Sequence, residues 1–477
     1  MKAPYSEHLQ SIENGLKKLR DILLEDYDYV SILSTDSRGL SVRISQHSKS
    51  VSNSTMSTEK GTVVRVYRNG LYSEYSMDRF DPDDPEGTAA IIKASVDSQL
   101  EILESSGVAP YETDILPDEP AELFVQEEAE KLPEDTDIKN LVDRLVEISD
   151  KGMGMSEYML DCIAVAQSTH VCKLFLSKNR CMKQSYVYSE GTVAAIVAKD
   201  GMNKLGYEGI SGLCGTEVFD QLESKLEKCI ETSEMLLSAG KVVPGEYEVI
   251  TSPEVTGLLA HEAFGHGVEM DMFVKDRALG KYYIDKRVGS DLVTMHEGAL
   301  TARDTASYAF DDEGTPAGDV KEIDHGILKT GICDALSAVR LGVRPTGNGK
   351  RENFEHKVYT RMTNTMFEAG NDTLEDMIAS VKYGYLLEGM ESGMEDPRHW
   401  GIQCVLQCGR EIVDGKLTGK VVAPVIMTGY VPDLLSNVTM ASKDIGIFGN
   451  GGCGKGYKEW VKVSNGGPYL KTKATLG

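Results

Sequence analysis

Hydrophobic positions along this chain switch between two periods. Leu9, Ile12, Leu16, Leu19 and Leu23 recur at three- and four-residue intervals, which puts them on one face of a helix. Residues 28–78 then read as strands, including the alternating run Leu40-Ser41-Val42-Arg43-Ile44. Gly61 to Tyr67 continues that pattern, and Asn69-Gly70 is the dipeptide of a tight hairpin turn. Ile92, Val96, Leu100 and Leu103 predict a closing helix.

The same order then repeats. A helix with Ile138, Leu141, Leu145 and Ile148 on one stripe precedes strands through residues 158–210, and a helix with Leu222, Leu226, Cys229, Ile230 and Leu237 follows them. The Gly-Thr-Val triplets at 61 and 191 lie 130 residues apart, and the turn signals Asn69-Gly70 and Asp200-Gly201 lie 131 apart. This pattern predicts a duplicated unit, about 1–107 and 138–237, with an acidic, Pro-rich linker over 108–137. Near residues 238–245 the character changes to short strands and Gly-rich turns. A helix-like segment holds residues 258–267, and Leu374 to Tyr385 reads as a further helix. The expected fold is α+β. An N-terminal domain, 1–237, consists of antiparallel sheet units flanked by helices. A C-terminal domain, 238–477, is mostly β, with a barrel-like or rolled form.

Composition narrows the class. At 477 residues, the chain is too long for one core. Apolar runs fall short of a membrane span, and the first residues lack the apolar region of a secretory signal. Nine cysteines at irregular spacings fit a reducing cytoplasm better than a disulfide framework. A formal charge of −25 argues against nucleic acid or an anionic membrane as partner.

The chemistry concentrates in His261-Glu262-Ala263-Phe264-Gly265-His266. Two imidazoles can hold zinc, and a carboxylate beside the first can take a proton from water at the metal. The spacing is one residue longer than H-E-x-x-H. On a regular helix, i and i+5 lie ~140° apart. The two rings converge only if the helix carries a π-bulge, a distortion that Gly265 and Gly267 would ease.

A catalytic zinc site needs a third ligand. Cys453, in the glycine-rich run Phe448 to Gly456, stands out because a backbone so poor in side chains can approach a buried centre, with Lys455 nearby to favour the thiolate. His296, His325, His356 and His399 remain as other donors, and Cys404 with Cys408 as another pair. Residues 449–455 also match most of a phosphate loop, which keeps a nucleotide-binding protein as an alternative. Gly456 replaces the hydroxyl that such a loop requires, and a strand pattern follows from Tyr457. Arg344, Arg351 and Arg361 are candidates for stabilising the oxyanion, for gripping a peptide or for salt bridges, and Asp311-Asp312-Glu313 reads as a turn with Glu313 or Asp311 supporting the metal site from behind its ligands.

The pair His261-Glu262-x-x-x-His266 and Gly452-Cys453-Gly454-Lys455 resembles the TldD/PmbA family of zinc metallopeptidases, specifically its metal-bearing TldD-type branch. Phe310 to Pro316, Arg344 to Gly349 and Arg361 to Thr365 also resemble segments of that family. The resemblance implies one zinc per chain on His261, His266 and Cys453, with Glu262 as general base. It implies cleavage of short or unfolded peptides by a homodimer or by a heterodimer with a PmbA-like subunit lacking the metal motif. A non-catalytic scaffold subunit is the rival reading. A label tying the family to DNA gyrase fits poorly with direct DNA binding at this charge.

Overall fold

The computed structural model describes residues 1–106, 113–456 and 459–477. The first part of the 108–137 linker and the start of the strand at Tyr457 therefore lie outside the described residues. The rest of the linker includes a short strand, β5.

The N-terminal sheet is built from β1 (Tyr29–Ile44), β2 (Lys49–Ser52), β3 (Lys60–Arg68), β4 (Leu71–Met77), β5 (Ala121–Gln126), β6 (Met159–Leu176), β7 (Arg180–Lys199) and β8 (Met202–Gly212). Strands β1 and β6 pair antiparallel at its centre. On one side β3 and β4 continue the sheet, and on the other β7 and β8 do. The turns joining the outer strands take the left-handed conformation that their residues favour. Asn69-Gly70 has φ of 53° and 85°, and Asp200-Gly201 has 51° and 79°.

Helices α1 (Glu7–Leu23) and α2 (Pro85–Ser105) lay Leu9, Leu16, Leu19, Ile92 and Val96 on one half of the sheet. Helices α3 (Ile138–Met153) and α4 (Leu226–Leu237) bury Leu145, Ile148, Cys229 and Ile230 against the other. Leu222 is buried in a 3-10 segment ahead of α4 and not in the α-helix itself. Burying each large apolar side chain contributes about 1.5–3 kcal/mol against leaving it in water.

The second half begins with β9 (Gly245–Thr251) and α5 (Pro253–Ala260). Its strands include β10 (Tyr383–Asp396), β11 (Gly401–Val413), β12 (Val425–Tyr430), β13 (Met440–Lys455) and β14 (Glu459–Leu476). Pairing runs from β14 through β12, β11, β10 and β9 and returns to β14. The sheet is thus rolled around a core that holds Trp400, Phe264, Leu259 and Leu406. The expected helix over Leu374 to Tyr385 stops at Ala379, and Tyr383 already belongs to β10. Its apolar residues were shared between a short helix and a buried strand, which the two periods do not separate over so few residues.

The Asp311-Asp312-Glu313 turn is a clamp between the two halves. Asp312 pairs with Lys173 of β6, and Glu313 pairs with Arg65 of β3 at 2.5 Å. Asp311 accepts the backbone N–H groups of Glu313, Thr315 and Gly349. None of the three belongs to the metal-ligating group, and their carboxylates bond Lys173, Arg65 and backbone N–H groups rather than His261, His266 or Cys453. Among the described residues no helix is long and apolar enough to cross a membrane.

Candidate metal centre

Strand β9 delivers the chain to Ser252, whose hydroxyl caps α5 at Val255, with Pro253 in the first turn. Helix α5 inserts into the rolled sheet, with Val255, Leu259 and Ala260 inaccessible to solvent and Glu254 turned to the cleft. The helix then widens. Residues His261–Gly265 form a π-turn in which the His266 N–H donates to the His261 carbonyl. The extra residue per turn brings i and i+5 onto one face, and the two rings meet with centroids 5.1 Å apart at 84°.

The glycines serve space more than backbone freedom. Gly265 has an ordinary helical φ of −53°. A Cβ there would lie 2.2 Å from Met362 Sδ, and one at Gly267 would lie 2.6 Å from Glu395 Oε1.

The third donor comes from β13. Cys453 Sγ stands 3.4 Å from His266 Nε2, and ligand atoms of His261, His266 and Cys453 all lie within 4.8 Å of one another. The glycine-rich run is a strand rather than a loop, with Cys453 paired opposite Val461. An extended strand turns its N–H groups alternately to two sides rather than gathering them around a phosphate. Lys455 is also committed, pairing with Asp271 at 2.8 Å and Glu269 at 3.1 Å. The nucleotide alternative loses its geometry on both counts.

Glu269 had no place in the sequence reading, although it lies three residues after His266 and so on the same helical face. Its Oε2 meets His266 Nδ1 at 3.0 Å. A hydrogen bond on one ring nitrogen fixes the orientation of the other, and here it aims Nε2 at the Cys453 sulfur. Burial raises the Glu269 carboxyl, but Lys455 and His266 outweigh it and hold it down to about 2. Burial likewise opposes a thiolate at Cys453, yet the facing His266 and His261 hold the thiol well below its usual range. A charge from Lys455 is not the cause, since its ammonium is turned to carboxylates.

The donor set suits zinc. Two imidazoles and a soft, ionisable sulfur converge with one ring already oriented by a carboxylate. His261 Nδ1 is buried with no hydrogen-bond partner among the described residues. An unpaired buried polar atom is costly unless a ligand or ion completes it.

A cleft of about 1770 Å³ opens beside these donors. It is lined by β10 from Glu388 to Glu395 and, from the N-terminal half, by Tyr207 and Glu208 of β8 and Lys228 and Met235 of α4; the Tyr207 hydroxyl donates to the Met390 carbonyl where the two halves meet. Glu262 lines the cleft next to His261 and is 7% exposed. A Cβ at Gly393 would come within 2.5 Å of its Cγ, so β10 packs its bare backbone on the Glu262 side chain.

The arginines stand elsewhere. Arg361 is 1% exposed and donates to the carbonyls of Cys453 at 2.6 Å and Glu459 at 2.7 Å. Arg351 pairs with Glu74 of β4, and Arg344 is exposed away from the cleft. The cleft's arginine is Arg410. His296 bonds Asp319 and Glu368, His399 bonds Asp396, and Cys404 and Cys408 are buried apart from the donor group.

The rolled β domain thus brings two imidazoles and a thiol together in a cleft, with a carboxylate beside them. Residues 244–474 match the PmbA/TldA metallopeptidase C-terminal domain. A zinc metalloprotease TldD homolog of Saccharolobus solfataricus is 30% identical over 292 residues, 60% of this chain and 62% of that one. A metalloprotease of Methanocaldococcus jannaschii is 31% identical over 281 residues, 59% and 61%. The matched region thus spans about three fifths of those relatives. The fold extends further. TldE from Thermococcus kodakarensis superposes with a TM-score of 0.75 at 16% identity, over 97% of this chain and all of that one.

Proposed function

We propose that this chain is a zinc-dependent peptidase acting on short or unfolded peptides. His261, His266 and Cys453 hold one zinc ion, and Glu262 is the general base. The observation that carries this reading is the convergence of three donors from two distant segments beside a carboxylate that opens on a cleft. When bound, zinc supplies Lewis acidity that polarises a carbonyl and makes a neighbouring water more acidic. Glu262 accepts the proton of the attacking water and returns it to the leaving amine. Gly393, pressed on Glu262, limits the positions its carboxylate takes. Glu269 orients His266, and Arg361 holds the Cys453 backbone from behind.

Strand β10 pairs with β9 only through Leu387 and then continues along the cleft. We place the peptide there as an added strand, which recognises main chain more than side chains. The assembly in this reading is a dimer, with itself or with a metal-free PmbA-like subunit, in a reducing cytoplasm. A scaffold subunit has no need of a base beside a metal donor, so the intact set favours the enzyme.

Metal analysis of the purified chain tests the proposal. About one zinc per chain, lost in His261→Ala and in Cys453→Ala, is expected. Glu262→Gln should retain zinc and lose cleavage of an unstructured peptide. A gently purified chain without zinc, unchanged by those substitutions, would overturn it.

A further inference from the structure

The walls of the cleft carry an imbalance of charge that the peptidase reading leaves unused. Eight carboxylates line the cleft against four cations. Three of those cations are already engaged: Lys228 with Glu208 at 2.7 Å, Lys455 with Glu269 at 3.1 Å and Arg410 with Glu388 at 3.8 Å. Glu231 and Glu391 have no ion-pair partner among the described residues. Glu395 is the most informative. It follows Gly393 on the β10 wall, and both of its carboxylate oxygens are buried without a hydrogen-bond partner. One oxygen lies against the backbone of Gly267, one residue past His266. A carboxyl buried with no donor near it beyond the Gly267 backbone N–H is costly to keep ionised, and a ligand cation is a group that would complete it.

We infer that the cleft selects peptides carrying an ammonium or guanidinium group near the bond to be cut, and that Glu395 receives that group. This rests on the peptidase reading. Glu391, exposed on the same strand, and the chain's formal charge of −25 act at longer range, drawing cationic peptides towards the cleft. Cationic side chains on a substrate strand and the α-ammonium of its first residue offer the same chemistry, so both sources must be compared.

The test uses the full zinc-loaded chain carrying Glu262→Gln, so that binding is read without turnover. Short unstructured peptides bearing Lys and Arg, or Gln in their place, are compared by fluorescence anisotropy, each with a free or acetylated N-terminus. The expected result is at least about tenfold tighter binding of the cationic peptides, weakening as salt is raised. Glu395→Gln should remove most of that gain without changing zinc content or the affinity of the neutral peptide. Glu391→Gln should remove a smaller, salt-sensitive part. A gain lost on acetylation assigns the group to the α-ammonium, and a gain that survives assigns it to the side chains. Equal binding of cationic and neutral peptides, or a preference that survives Glu395→Gln, overturns the inference. A loss of zinc in Glu395→Gln with both peptides weakened alike would make Glu395 structural and overturn it as well. Cleavage by the zinc-loaded wild-type chain separates the two failures. Turnover of neutral peptides without cationic preference sinks this inference alone, and no turnover of any peptide sinks the peptidase reading.

Discussion

Gly393 and Glu262 are in direct contact across the cleft wall, so close that a Cβ on Gly393 would stand 2.5 Å from Glu262 Cγ. Gly393 is within a strand and shows no positive φ, so its backbone accepts alanine while the space does not. Gly393→Ala should push the carboxylate off its line to the substrate. Misplacing a catalytic group by about 1 Å costs on the order of 100-fold in rate. The expected outcome is therefore a fall of about that size in kcat with zinc content unchanged, read by metal analysis and peptide turnover on one preparation. Unaltered kcat would remove Glu262 from the reaction or Gly393 from its support.

The π-turn makes a separate prediction through Gly265 and Met362. Met362 is fully buried, and its Sδ would lie 2.2 Å from a Cβ at Gly265. Gly265→Ala overpacks this layer and should cost about 1–3 kcal/mol of stability, with weaker zinc retention because the turn sets His261 against His266. Adding Met362→Ala relieves the clash. The double variant should recover zinc binding relative to Gly265→Ala alone, as measured by denaturant unfolding and competition with a chelator. No recovery would mean that Gly265 is needed for its backbone.

Much of this site was legible because its chemistry is local. His261 and His266 announce a metal, and their five-residue gap requires a π-turn if both are to hold it. Cys453 could be singled out by its glycine-rich surroundings, though not its secondary structure, since glycine runs read as loops and here β14 pairs with the strand from Gly451 to Lys455. Glu269 carried a usable signal in its spacing from His266. Glu395 carried none, because its place depends on how β10 rolls against α5. The arginines were ambiguous for a related reason. A guanidinium that braces a hairpin carbonyl has the same sequence appearance as one that grips a substrate. In the N-terminal half, the periods located the helices and the Asn-Gly and Asp-Gly turns, but not the pairing of β1 with β6 that joins the two groups of strands.

Far from the metal, His170 links stability to pH. Its Nδ1 meets Glu134 at 2.5 Å and its Nε2 meets Ser185 Oγ at 2.9 Å, while Ser185 also donates to the Pro4 carbonyl of the N-terminal arm. Burial disfavours the charged ring, but hydrogen bonds to Cys172 and Glu134 prevail and raise it to about 9. A group whose folded pKa is raised stabilises fully below its unfolded value, about 6.5, and loses that contribution as pH rises through the folded value. Stability should therefore fall between pH 6.5 and 9 by on the order of 1–3 kcal/mol. His170→Gln should flatten the slope in urea unfolding followed across that range. An unchanged slope would place the titration elsewhere.

Arg361 decides between gripping a substrate and bracing the metal centre. Its two Nη atoms bind the carbonyls of Cys453 and Glu459, one on each arm of the β13–β14 hairpin. Lysine cannot reproduce that planar fork. Arg361→Lys should loosen the strand that presents the Cys453 sulfur, and loss of such an outer support typically weakens metal binding about 10–100-fold. Each carbonyl left unpaired costs a further 1–3 kcal/mol or so in stability. The expected signature is weaker zinc affinity and a lower Tm, with KM for a short peptide unchanged when zinc is saturating. If Arg361 instead held substrate, KM would rise while zinc affinity stayed at the wild-type value. Zinc competition and steady-state kinetics on the same variant therefore separate the two roles.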